Sequence, residues 1–170
     1  MKKRKRKSFL SHYNTYFEKI YRYIFFRVGK DQQLAEDLTS EIMLKAYEHF
    51  EDYDEERKFS VWIYRIAHNH LVDYYKKVKA KQVPLDDVEN ILHKEHNLDT
   101  MVDTAIETEK VEEVLDQLPD QQREIMVLKF MNDLSNKEIA DILSMTEAHV
   151  RVLQHRALGF LRTRLSYLQT

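Results

Sequence analysis

The sequence predicts an all-α chain: two small helical domains joined by an acidic linker, the C-terminal one containing a helix-turn-helix. Three observations support this. Only two Gly and two Pro stand among 170 residues, too few turn-makers for a sheet-rich fold, and no apolar/polar alternation of useful length occurs. Apolar residues instead recur at three- and four-residue steps over most of the chain. Charge is also segregated: residues 1–81 hold 18 Lys/Arg against 12 Asp/Glu, residues 82–121 hold 2 against 12, and residues 122–170 hold 7 against 5. Two mildly basic ends thus flank an acidic middle, which proposes a first domain over 8–81, a linker over 82–106 and a second domain over 107–170. With 43% apolar residues, the chain can bury real cores.

In residues 8–28, Phe9, Tyr13, Phe17, Ile20, Ile24 and Val28 share one helical face, and the helix ends near Gly29. Asp31 can cap a second helix to about Phe50, with a buried stripe of Leu34, Leu38, Ile42, Ala46 and Phe50. A different face of it presents Asp37, Glu41, Leu44 and Glu48. EDYDEERK at 51–58 has no helical period and reads as an exposed loop. The third helix, FSVWIYRIAHNHLVDYYKKVKA, turns Phe59, Ile63, Ile66, Ala67, Leu71 and Tyr74 inward and keeps Arg65, Asn69, Asp73, Lys76 and Lys77 on its polar side. Three such helices can enclose one compact core.

Residues 82–106 show no convincing period and read as a tether. The period returns with Ile106, Val111, Val114 and Leu115. Leu118–Pro119 then restarts a helix with Pro in its first turn, where the missing N–H does no harm; Ile125, Leu128 and Met131 give it a core face.

LSNKEIADILSMTEAHVRVLQHRAL follows as a short helix, a tight turn and a long basic helix. Ile139, Leu143, Val150 and Leu153 are placed to pack inward, and Ala140 is small enough to let two steeply crossed backbones meet. Asn136 or Ser135 can cap the first helix, and Thr146 the second. Ser144 falls at the turn, where positive φ makes Gly the usual choice. The outward face then holds Thr146 at its tip, followed by Glu147, Ala148, Arg151, Val152 and His155, side chains placed to reach base edges. Arg156, Arg162 and Arg164 extend a basic rod suited to phosphates. A helix hairpin facing solvent accounts for the same pattern when this segment is taken alone.

Several classes are excluded or disfavoured. Cysteine is absent, so there are no disulfides or thiolate metal sites, which fits a reducing, cytoplasmic setting. KKRKRK at residues 2–7 resembles the charged start of a signal peptide, but no continuous apolar run follows, and Arg22 and Arg27 interrupt YRYIFFRV. Neither export nor membrane insertion is expected. His68, His70 and Asp73, and His93, Glu95 and His96, have metal-like composition, but neighbouring His residues diverge on a helix and the second spacing arises readily by chance. With no Gly-rich phosphate loop and no convincing acid/base pair, no catalytic residue, metal or cofactor is expected.

Three segments, AEDLTSEIMLKAYEHF, FSVWIYRIAHNHLVDYYKK and LPDQQREIMVLKFMNDLSNKEIADILSMTEAHVRVLQHRAL, each resemble a segment of the bacterial sigma factors of the extracytoplasmic-function group, in family order and spacing. The resemblance implies an alternative sigma factor that binds core RNA polymerase, directs it to specific promoters and helps open them. It implies that Asp37, Glu41 and Leu44 dock on the clamp helices of the polymerase's largest subunit. It assigns Tyr53, Phe59, Asn69, Asp73, Lys76 and Lys77 to the minus-ten region of promoter DNA as its strands separate; Trp62 fits core packing at least as well. Thr146, Glu147, Ala148, Arg151, Val152, His155 and Arg156 then face the minus-thirty-five element, and the resemblance allows an anti-sigma factor as a further partner. Arg151 is the best single base-contact candidate, because its two parallel donors match guanine. Ser144 departs from the family's usual turn Gly, and Val152 and Gln154 stand where many members have Ser and Leu, so promoter preference does not carry over. The linker would run through the RNA-exit region, where Asp86, Asp87 and Glu89 either mimic nucleic acid or serve as a solvated spacer. The rival is a stand-alone helix-turn-helix regulator that binds an operator without polymerase; the first domain discriminates, since such a regulator usually carries a dimerisation or effector module there.

Overall fold

The structure, a computed structural model, describes residues 3–81 and 104–168. Its helices are α1 (Lys3–Arg27), α2 (Gln32–Glu48), α3 (Phe59–Ala80), α4 (Thr104–Asp116), α5 (Asp120–Met126), α6 (Asn136–Leu143) and α7 (Glu147–Leu168). A 3₁₀ turn, Phe50–Asp52, follows α2, and a π turn, Val127–Met131, continues α5. No strand occurs among the described residues. The chain divides into two compact units. Most of the tether lies outside the described residues, together with Asp86, Asp87, Glu89, His93, Glu95 and His96.

In the first unit α1 packs on both α2 and α3. Ile20, Ile24, Leu38, Ile42, Ala46, Phe50, Phe59, Ile63, Ala67 and Leu71 are buried, as their spacing predicts. Tyr13, Phe17, Leu34, Ile66 and Tyr74 lie at the margin of this core and are half-buried. Three buried rings, Tyr23, Phe26 and Tyr64, fall outside the predicted stripes, and Tyr23 and Tyr64 meet edge to face with centroids 5.6 Å apart. Burial pushes the Tyr64 phenol well above its ordinary range. Thr39 is buried with its hydroxyl satisfied, since its Oγ1 donates to the Ala35 carbonyl at 2.6 Å.

α1 begins at Lys3, ahead of the start near residue 8 that apolar spacing suggests. Lys and Arg are good helix formers, so the basic run continues the helix without contributing to its apolar period. At the other end the chain turns through Gly29 and Lys30, with φ of 65° and 62°, and the Lys30 N–H reaches back to the Phe25 carbonyl at 3.0 Å. Asp31 then caps α2, its Oδ1 accepting from the Leu34 N–H at 3.0 Å.

In the second unit Val114, Leu118, Met126, Ala157 and Leu161 form a core cluster joining α4, α5 and α7. α4 starts at Thr104, so its first turn falls inside the stretch read as linker. Arg123 ties α4 to α5: its Nε donates to the Leu115 carbonyl at 3.2 Å, and its Nη2 to the carbonyls of Asp116 and Leu118 at 2.9 and 3.1 Å. One guanidinium thus serves carbonyls at the end of α4 that have no helical partner. The π turn that follows is also unmarked by periodicity; Asn132 Nδ2 donates to the Val127 carbonyl at 3.0 Å, one local bond supporting it.

Candidate nucleic-acid interface and docking face

The C-terminal helix pair is built from local capping chemistry. Ser135 caps α6: its side chain accepts from the Glu138 N–H at 3.2 Å, while Glu138 accepts from the Ser135 N–H at 2.8 Å. Asn136, the alternative cap, instead accepts from Gln154 Nε2 at 2.8 Å and ties α6 to α7. Ser144 adopts φ 54° and ψ 45°, the left-handed turn expected of it. Thr146 Oγ1 accepts from the His149 N–H at 3.1 Å and starts α7.

The Cβ of an L-residue is strained in that turn, whereas Gly has none. Ser144→Gly is therefore expected to stabilise the second unit by about 0.5–1 kcal/mol. The check is the thermal midpoint; a fall on substitution would mean the Ser side chain contributes more than the strain costs.

With Ile139, Val150 and Leu153 buried, α7 presents Thr146, Ala148, Arg151, Val152, His155 and Arg156 to solvent, and Glu147 is half-buried. Arg151 Nη2 lies 2.6 Å from Glu147 Oε1. That exposed pair contributes little to stability, yet it holds the guanidinium along the outer face. Arg162 and Arg164 are exposed farther along the same helix.

In the first unit the loop after α2 closes over an aromatic cluster. The Tyr53 ring stacks near Phe50, with centroids 5.7 Å apart, meets Phe59 edge-on at 5.4 Å and lies 5.1 Å from Trp62. His12 of α1 lies flat on Phe59, centroids 3.9 Å apart and planes 8° apart. Tyr53 is half-buried and its hydroxyl donates to the Arg57 carbonyl, which fixes the ring at the rim. Phe59 is only 6% exposed. His12 covers one face of the ring, and Tyr53 and Trp62 pack around it, so Phe59 lies beneath Tyr53. Trp62 is half-buried in the same cluster, consistent with core packing.

Burial lowers the His12 pKa from its ordinary 6.5, and the Glu55 carboxylate opposes that shift. The unfolded chain therefore binds the proton more readily than the folded one, so this contribution to stability is present above pH 6.5 and is lost as pH falls through the folded value. His12→Phe should keep the stack and remove this component. Unfolding midpoints at about pH 7.5 and about pH 5.5 check it; an identical acid sensitivity in the variant would assign the effect to other groups.

The outer side of α3 presents Asn69, Asp73, Lys76 and Lys77, all exposed. On α2, Asp37, Glu41 and Leu44 are exposed along one face. Glu41 Oε2 lies 2.8 Å from His70 Nε2 of α3, a link that neither helix's own period reveals. Leu44, 58% exposed, borders a shallow groove of about 330 Å³ between α1 and α2, lined by Phe9, Leu10, Tyr13, Met43 and Tyr47. Leu10, 53% exposed, falls off the predicted stripe of α1, so spacing alone does not single it out.

Two family models match the chain in order: Sigma-70 region 2 over residues 12–81 and Sigma-70 region 4 over residues 108–161. The chain is similar to the ECF RNA polymerase sigma factor SigM of Bacillus subtilis, 31% identical over 149 residues that span 85% of this chain and 87% of that one. The chain belongs to the ECF RNA polymerase sigma factors. It is also similar to SigW of the same organism, 29% identical over 97% of this chain and 92% of that one. Among solved structures, the sigma factor RpoE of Bartonella quintana, crystallised with the anti-sigma factor NepR, shares its fold with a TM-score of 0.77 at 16% identity, covering 94% of this chain and 98% of that one. CnrH, in complex with the cytosolic domain of CnrY, does so with a TM-score of 0.71 at 18% identity, covering 95% and 90%.

This ECF sigma factor is an alternative sigma factor that binds core RNA polymerase, directs it to specific promoters and helps open their DNA. Region 2 occupies the part of the chain where a stand-alone operator-binding regulator would carry a different module, so that reading gives way. Among the described residues no helix is long and apolar enough to cross a membrane.

Proposed function

We propose that the faces described above divide the work of promoter recognition. Asp37, Glu41 and Leu44, with Leu10 and Tyr47 beside them, dock on the clamp helices of the polymerase's largest subunit; an amphipathic helix with a second, partly apolar face suits such docking. Tyr53, with Phe59 beneath it, and the α3 strip Asn69, Asp73, Lys76 and Lys77 hold the minus-ten strand. Unpairing DNA and turning out a base costs a few kcal/mol, and one aromatic stack on an unpaired base returns about 1–3 kcal/mol. Thr146, Glu147, Ala148, Arg151, Val152, His155 and Arg156 read the minus-thirty-five element in the major groove. Residues 8–81 thus act as the docking and melting domain, 82–106 as a tether and 107–170 as the second promoter grip.

The polymerase, not this chain, makes the phosphodiester bonds, and the complex works in the cytoplasm, where its polymerase and template reside. An anti-sigma factor would act by covering the docking face of α2. The observation that carries the reading is the presence of regions 2 and 4, in order, in one chain. Transcription from a randomised promoter library with purified chain and core polymerase tests it: two sequence blocks at a fixed separation should be enriched. Sequence-specific binding by the chain alone, with no stimulation of core enzyme, would defeat it.

A further inference from the structure

The basic run that opens α1 has no part in the reading above. It is a helix start of unusual electrostatics: KRKRK occupies the first five positions, with no acidic residue in the first turn. Cations at the positive end of a helix dipole are disfavoured, and like charges in neighbouring turns repel. A local rule broken in this way is expected at a functional site, where a ligand offsets the cost.

The fold places this run beside the proposed strand-holding loop. Lys5, Phe9, His12 and Tyr16 follow one another at helical spacing on a single face of α1. Phe9 packs on Phe50 with centroids 5.2 Å apart, and His12 stacks on Phe59, so Lys5 lies one turn beyond the aromatic cluster that holds Tyr53. Lys5 Nζ donates to the Glu51 carbonyl at 3.2 Å. Arg6 and Lys7 are exposed. The loop itself carries Glu51, Asp52, Asp54, Glu55 and Glu56, carboxylates that repel a phosphodiester; cations at its edge supply the opposite field.

We propose that Lys5, Arg6 and Lys7 bind the phosphate backbone of the DNA strand held at Tyr53. Acidic lipid headgroups would also attract a basic run, but the position next to Tyr53 favours the strand. The proposal rests on the strand-holding role given to Tyr53.

The test uses holoenzyme reconstituted from the full chain and core polymerase. The probe is a forked duplex whose unpaired minus-ten strand is recovered from the randomised library by wild-type holoenzyme. In K5Q/R6Q/K7Q, the slope of log affinity against log salt should become shallower by about 2, at about 0.7 per lost single-strand phosphate contact, with affinity for core polymerase unchanged. Y53A should keep the wild-type salt slope and lose the preference for the fork over a fully paired duplex. An unchanged slope in the triple variant overturns the proposal. So does a loss of core binding at constant slope, which would make the run a polymerase contact, or loss of binding to phosphatidylserine vesicles at constant slope, which would make it a membrane contact. If wild-type holoenzyme shows no preference for the fork, or Y53A retains that preference, the role given to Tyr53 fails, and this proposal with it.

Discussion

Phe59→Ala is expected to destabilise the first helical unit by about 3–5 kcal/mol, the range for removing a buried Phe ring. The ring is 6% exposed and underlies His12, Tyr53 and Trp62, so its loss leaves a cavity that helices α1 and α3 cannot close without moving. Phe59→Leu keeps most of the volume and should cost markedly less. Tyr53→Ala removes a half-buried ring at the rim and should lower stability less than Phe59→Ala, while weakening promoter opening. Trp62 is the only tryptophan in the chain and its ring centroid lies 5.4 Å from that of Phe59, so its fluorescence during urea unfolding reports on this cluster. If Phe59→Ala left the unfolding midpoint where it was and abolished binding to unpaired DNA, the ring would belong to the strand and not to the core.

Arg151→Ala is expected to relax base discrimination at one minus-thirty-five position by about 1–3 kcal/mol, or about 5- to 150-fold. Folding stability should barely change, because the Arg151–Glu147 pair is exposed and such helix pairs contribute about 0.3–0.5 kcal/mol. Arg151→Lys keeps the charge and loses the two-pronged donor, so it should resemble Ala in discrimination and wild type in overall affinity. Arg162→Ala and Arg164→Ala should behave in the opposite way, weakening binding to every sequence alike and flattening the salt dependence. Selection from a promoter library with each variant holoenzyme separates these outcomes. A uniform loss across all sequences in Arg151→Ala would reduce that residue to a phosphate contact.

Much of the architecture could be read from neighbouring residues. The limits of α3 follow from its apolar period and match the observed helix. The turn at Ser144, the cap at Thr146 and the buried set Ile139, Val150 and Leu153 follow in the same way. These features depend on residues within a few positions of one another, where helix geometry alone decides which side chains share a face. The helicity of Lys5, Arg6 and Lys7 left no such trace, because a polar turn adds nothing to an apolar period.

What neighbouring residues do not encode is which faces meet. Phe59 carries both an aromatic ring suited to a base and a place on an inward stripe, and that His12 of another helix lies flat on it is not legible from its neighbours. Glu41 and His70 are 29 positions apart yet 2.8 Å apart in space, and Arg123 reaches back to three carbonyls around the end of α4. Leu10 and Tyr47 become one groove with Leu44 because α1 and α2 lie side by side. The sequence by itself therefore determined the helices, their caps, the segregation of charge and the family. The tertiary structure decided which aromatic rings support and which are presented, because a side chain's exposure is set by elements distant in the chain that pack against it.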